Sequence, residues 1–229
     1  APDVGTAGNF GTWTVTVTAG AGGIDEGGSI RVQLPDSWHA GDRNSGNPLQ
    51  ATDPAADHYV TAHSPNGKAE IEAIVEDESD DILIKSDRRG LDGRNERYVF
   101  VVRATVTKGE LSEGDKLSVV YGDTSGGSRG MQAAIITTQP EPIHIAVDAN
   151  GNGSYERLSD EPMIRSAPGP PARLRLVAPS NMRVGDSSTL TVAILDNHNN
   201  LVHDYQGELS LDFFQGSGEL PAEVELNMS

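Results

Sequence analysis

The sequence predicts an all-β chain, an antiparallel β-sandwich followed by a second, partial β-sandwich. Three observations carry this. The 229 residues include 26 glycines and 13 prolines, more punctuation than long helices tolerate. Apolar residues recur with period two in short runs, and a helical period is missing. Clusters of Gly, Pro, Asn and Asp separate those runs at a spacing of roughly 10 to 15 residues, the rhythm of antiparallel strands, whereas a parallel α/β sheet needs helical crossovers.

The elements follow in order. Thr12-Trp13-Thr14-Val15-Thr16-Val17-Thr18 alternates a threonine face with an apolar one, which predicts a half-buried strand with Trp13, Val15 and Val17 inward. Gly20-Ala21-Gly22-Gly23 then turns the chain towards Ser29-Ile30-Arg31-Val32-Gln33-Leu34, a second alternating run stopped by Pro35. Residues 36–56 lose periodicity, so they read as a long surface loop broken by Trp38 and Leu49, and long loops on a β scaffold are where binding usually sits. Further strands are expected at 59–62, 69–75, 82–84, 97–106, 116–121, 133–138 and 143–147.

The first domain is thereby placed at 1–166, large enough to bury about 70% of its unfolded surface. Pro170 and Pro171 cannot donate ladder bonds, so 167–172 is expected to be an extended, semi-rigid linker. Residues 173–229 read as a strand at 174–178, a Pro179-Ser180 turn, a Gly185-Asp186 turn, a strand at 188–195 ending in Asp196-Asn197, then Leu201-Val202 and a strand at 209–211. That order resembles bacterial immunoglobulin-like modules. Such modules continue for several more strands, so this domain is expected to be incomplete at its C-terminus.

Charge narrows the function classes. The formal net charge of −17 argues against nucleic acid as a partner, because phosphate binding needs clustered cations. The acidic run Glu76-Asp77-Glu78-Ser79-Asp80-Asp81 reads as a solvated loop between strands rather than a cation site. No apolar run reaches the ~18 residues of a membrane helix, so no membrane insertion is expected. The absence of cysteine removes disulfide and thiolate chemistry. Nothing resembling a signal segment opens the chain, as in a mature protein whose signal was removed, and an extracytoplasmic or secreted location is the expectation.

Few residues offer site chemistry. In Asp148-Ala149-Asn150-Gly151-Asn152-Gly153-Ser154-Tyr155-Glu156, side-chain oxygens of Asp148, Asn150 and Asn152 fall at alternate positions before Gly153, as in loops that wrap calcium. Ser154 and Glu156 would complete the candidate Ca²⁺ ligands, but the position that calls for a bidentate Glu is Ser159. A hairpin turn joining 143–147 to 155–158 is the other reading, since Asn-Gly accepts positive φ, and both can hold. Trp38, His39 and Tyr59 offer an aromatic platform for sugar, against roles as core or loop anchors. Gly122-Asp123-Thr124-Ser125-Gly126-Gly127-Ser128 with His63 has the flavour of a serine-protease site, yet Thr124 interrupts the order, and no catalytic residue is assigned.

The order of motifs along the chain also resembles the N-terminal region of bacterial proteins whose later part, a domain of unknown function, is similar to metal-dependent hydrolases of the polymerase-and-histidinol-phosphatase type. The residues carrying it are Gly11-Thr12-Trp13-Thr14, Gly23-Ile24-Asp25-Glu26-Gly27-Gly28-Ser29-Ile30-Arg31-Val32, Tyr121-Gly122-Asp123-Thr124-Ser125-Gly126-Gly127-Ser128-Arg129-Gly130-Met131, Val147-Asp148 and Pro168-Gly169-Pro170-Pro171-Ala172-Arg173-Leu174. None of these is a metal-ligand or nucleophile motif. The resemblance implies a non-catalytic accessory, spacer or interaction region that needs no cofactor and precedes a hydrolase domain of the same polypeptide. Alternatives are a carbohydrate- or polymer-binding module stabilised by calcium, with a polysaccharide or cell-surface polymer as partner, or a segment of a surface adhesin.

Overall fold

The computed structural model describes residues 3–38, 49–77, 100–181, 183 and 185–210, so the expected strand at 82–84, residues 97–99 and residues 211–229 lie outside it. The chain divides into two compact units, Ala1–Ala167 and Pro168–Ser229. Among the described residues the regular structure is strand, apart from a single 3-10 turn at Asp36–Trp38. No helix of the described residues is long and apolar enough to cross a membrane.

In the first unit the strands are β1 (Asp3–Thr6), β2 (Phe10–Gly11), β3 (Trp13–Thr18), β4 (Ser29–Gln33), β5 (Val60–His63), β6 (Ala69–Asp77), β7 (Phe100–Gly109), β8 (Lys116–Tyr121), β9 (Met131–Gln132), β10 (Glu141–Pro142), β11 (His144–Asp148), β12 (Glu156–Arg157) and β13 (Met163–Ala167). They form a five-stranded sheet in the order β12-β11-β4-β7-β6, a three-stranded sheet β3-β8-β5, a second three-stranded sheet β1-β13-β10 and the short pair β2-β9.

Alternation explains how the first two sheets share one core. On β3 the side chains of Val15 and Val17 are buried while Thr14, Thr16 and Thr18 are exposed, the period-two pattern of the sequence. Ile30 and Val32 of β4, Val102, Ala104 and Val106 of β7, and Leu117, Val119 and Tyr121 of β8 are completely buried in the same cluster. The Tyr121 hydroxyl donates to the Val32 carbonyl at 3.2 Å, tying the two sheets together across the core. Burial pushes the ionisation of that phenol far up, so it stays a neutral donor.

One strand expectation in the first unit needs correction. The strand expected at 133–138 is absent: pairing stops with β9 at Gln132, Ala133 and Ala134 are both buried, and Ile135 and Ile136 are both exposed. Burial in consecutive pairs cannot belong to a ladder, in which successive side chains change face. As expected, the sheets are antiparallel, apart from one pairing in which β1 runs parallel to β13 with Val4 opposite Arg165. β1 carries little alternation of its own. Its Gly5 lies where a Cβ would come within 2.6 Å of the Trp38 ring, so glycine is required for close approach to the core rather than for a turn.

The second unit contains β14 (Arg173–Val177) paired antiparallel with β15 (Thr191–Leu195), from Arg173 opposite Leu195 to Val177 opposite Thr191. A single bridge joins Leu195 to Leu201, and Ile194, Leu195 and Val202 are buried. The expected strand at 188–195 therefore begins only at Thr191, and residues 209–210 are not strand.

Candidate functional site

The acids that the sequence offers as ligands hold loops in place. β11 and β12 pair as a hairpin, with Val147 opposite Glu156, and Asp148 opens its loop. The Asp148 side chain is buried and its carboxylate accepts the amides of Asn152 at 3.1 Å and Gly153 at 2.7 Å, while Asn152 Oδ1 accepts the Ser154 amide at 2.8 Å. Gly151 and Gly153 take positive φ, as the turn reading requires. Asn150, Asn152, Ser154 and Glu156 are exposed. Among the described residues no group of three or more His, Cys, Asp or Glu could hold a metal ion.

Other carboxylates behave alike. Asp115 accepts from Asn66, Lys68 and the Ser112 amide, and Lys68 above all holds its carboxyl below the usual range. Asp123 accepts from the Thr61 hydroxyl at 2.6 Å and the Ser125 amide at 2.8 Å, so the Gly-rich loop after β8 is clamped to β5. Arg129 pairs with Asp57 and lies over the Phe10 ring at 4.1 Å, fastening the same loop to residues 50–58. His58 sits beneath it, buried at φ 60° with its ring edge-on to Phe10, and burial lowers its pKa.

The aromatic candidates separate. Trp38 is 1% exposed and packs edge-on against Trp13 at 5.0 Å, inside the core. Tyr59 is half-buried and its carbonyl accepts the Asp123 amide. His39 lies outside the described residues.

A charged cluster crosses the five-stranded sheet. Arg31 and Arg103 stand directly opposite each other on β4 and β7, and Glu76 lies within ion-pair distance of both, at 3.0 and 2.5 Å. At these two contacts the Nε–H groups are not aligned for hydrogen bonding, so each is an ion pair rather than a hydrogen bond. Like charges facing across a ladder repel, and Glu76 offsets that. Glu76→Gln is expected to lower stability by about 2 kcal/mol in urea unfolding, less than for a fully buried pair because Arg103 is partly exposed.

A concavity among the described residues runs along β3. It is a groove of about 360 Å³ between Thr14–Thr18 and residues 158–162, with Ile145 and Leu158 among its lining. Among the described residues β3 ends its sheet, and no strand pairs with its other side. The register pairs Trp13 with Tyr121 through Thr18 with Lys116, and Ala19 continues it by donating its amide to the Asp115 carbonyl. Hydrogen-bonded positions alternate along an antiparallel pair, so Trp13, Val15 and Val17 bond to β8, and the N–H and C=O groups of Thr14, Thr16 and Thr18 face the groove.

Compared with known proteins, the chain matches no family model, no curated protein and no solved structure. The groove is accordingly read from its own residues. Its far wall is rigid because Arg157 grips Glu161 with two bonds of 2.7 Å, and His144 Nδ1 lies 2.9 Å from both Glu161 and Arg157. A single hydrogen decides that contact, since a bare Nδ1 accepts from Arg157 and a protonated one donates to Glu161. Arg157 is the main reason the Glu161 carboxyl is held below its ordinary range. Sequence reasoning missed this trio. The signal that would have found it is the hairpin register: Arg157 faces Ala146, two residues from His144 on the same side of the sheet.

Proposed function

We propose that this chain is a non-catalytic accessory region, a spacer and interaction platform within a larger bacterial, extracytoplasmic protein, preceding a metal-dependent hydrolase domain. The observation that carries the reading is the commitment of loop carboxylates to architecture. Asp57, Asp115, Asp123, Asp148 and Glu161 are each tied to backbone amides, hydroxyls or cations of the fold, which makes rigid connections and leaves these groups little freedom for proton transfer or metal binding. The chain needs no cofactor on this reading. The motif order shared with proteins that carry a downstream hydrolase supplies the context.

The test compares the 229-residue chain with a longer polypeptide in which a hydrolase domain follows Ser229, as this reading requires. Metal-dependent hydrolysis of a generic phosphomonoester is expected from the longer polypeptide only, and turnover by the 229 residues alone sinks the accessory reading. A calcium titration of the same chain addresses the Asp148 loop. Because Asp148 already receives two amides, millimolar Ca²⁺ is expected to leave the melting temperature unchanged, and a rise would mean that the loop binds the ion in the folded state.

A further inference from the structure

We propose that the open edge of β3 receives an extended polypeptide segment bearing cationic side chains, which joins the sheet as an added strand; the inference rests on the reading of this region as an interaction platform. A row of outward N–H and C=O groups two residues apart is satisfied by another strand, and strand addition is a recurrent mode of peptide capture. Thr14, Thr16 and Thr18 present such a row into a groove rather than to open solvent.

Among the described residues, the other edges of the five-stranded sheet and of the β3-β8-β5 sheet show that this one is different. β12 is two residues long and β5 is four. β6 is nine residues long but carries Glu70, Glu72 and Glu76, and its register is broken between Glu70 and Ile71. Charges, bulges and short length are the devices that prevent unwanted strand pairing. β3 has none of them: six residues, no charge, no proline and an unbroken register with β8.

Charge selects the occupant. The groove lining includes the carboxylates of Asp160 and Glu161 and no cation. Arg157 answers Glu161 from outside the lining, whereas Asp160 is exposed on the rim. A second copy of this chain would bring another Asp160 and a net charge of −17 to the same edge, so like-charge repulsion disfavours edge-to-edge pairing of copies. A segment alternating small apolar residues with Lys or Arg meets both demands. Its inward side chains reach Leu158 and the mouth of the core, and its cations meet the acidic rim.

The experiment uses the whole chain and a capped peptide alternating valine with lysine, as long as β3. Amide hydrogen exchange at Thr14, Thr16 and Thr18 is expected to slow by about tenfold or more at saturating peptide, with no change along β6. A valine–glutamate peptide should give no protection. Thr16→Pro removes an outward N–H and takes no backbone bond from β8, giving up only the hydroxyl contact of Thr16 with Ser118 at 2.8 Å, so it should retain the fold and weaken binding about tenfold. Asp160→Lys, on an exposed residue, should weaken binding similarly and serves if the proline variant fails to fold. Absence of protection, equal protection by the anionic peptide, or protection of the same amides by self-association without peptide would each overturn the proposal. None of these touches the accessory reading, which fails only on turnover by the chain itself.

Discussion

Gly122→Ala is expected to destabilise the first unit by about 4 kcal/mol. Gly122 follows β8 at φ 70°, a region where a Cβ costs about 1 kcal/mol or more. The added atom would lie 2.2 Å from the Met131 amide nitrogen and 2.4 Å from the Gly11 carbonyl oxygen, both backbone atoms of strands that cannot give way singly. Gly130, at φ 107°, approaches the same Gly11 carbonyl, so three glycines form one close crossing of β2, the end of β8 and the start of β9. The Thr12 hydroxyl donates to the Gly122 carbonyl at 2.7 Å and locks it. Gly127→Ala is the control, because Gly127 has φ 101° yet nothing within 4 Å of its added Cβ. It should cost only the conformational term, about 1 kcal/mol. Urea unfolding of both variants decides the matter: equal losses would mean that the crossing has room.

What the sequence made legible was local. The Thr-Val alternation of residues 12–18 named the buried face of β3 correctly, because side-chain direction in a strand is a period-two property of neighbours. The residues Ala133 to Thr138 show the limit, since an apolar, β-branched run has strand composition whether or not a partner strand passes beside it. Pairing is non-local. Nothing in Asp3–Thr6 announces a parallel partner some 160 residues away, and the groove arises only when Thr14–Thr18 and residues 158–162 come together. The Asp148 loop was ambiguous for a different reason. Its donor types suit calcium and an Asn-Gly turn alike, and only the direction of the Asn152 and Gly153 amides shows that the turn engages the carboxylate.

The same geometry recurs more fully in the second unit, where Asp196→Ala is expected to cost about 3 kcal/mol. Asp196 is 1% exposed, and its carboxylate accepts four hydrogen bonds: from the amides of His198 and Asn200 on Oδ1, and from the Gly169 amide and the Asn200 side chain on Oδ2, all at 2.8 to 2.9 Å. It thus closes the Asp196–Asn200 turn, in which Asn199 sits at φ 67°, and fastens Gly169 ahead of β14. Alanine would leave those donors buried and unpaired, and asparagine would restore the shape but turn an N–H₂ towards donors, so it should recover only part of the loss. The pH dependence has a definite sign. Burial alone would raise the carboxyl's pKa, but the Asn200 side chain and the three amides outweigh it and hold the carboxyl below its ordinary value of 3.8. As pH falls below about 4 the unfolded chain takes the proton first, so the stabilisation present above that pH is lost as pH drops through the folded-state pKa. Protection factors for the amides of residues 191–202, measured between about pH 6 and pH 3, isolate this turn from the acids of the first unit. Wild-type protection should fall across the lower part of that range and Asp196→Asn protection should stay level. Parallel decline in both would assign the acid sensitivity to some other group.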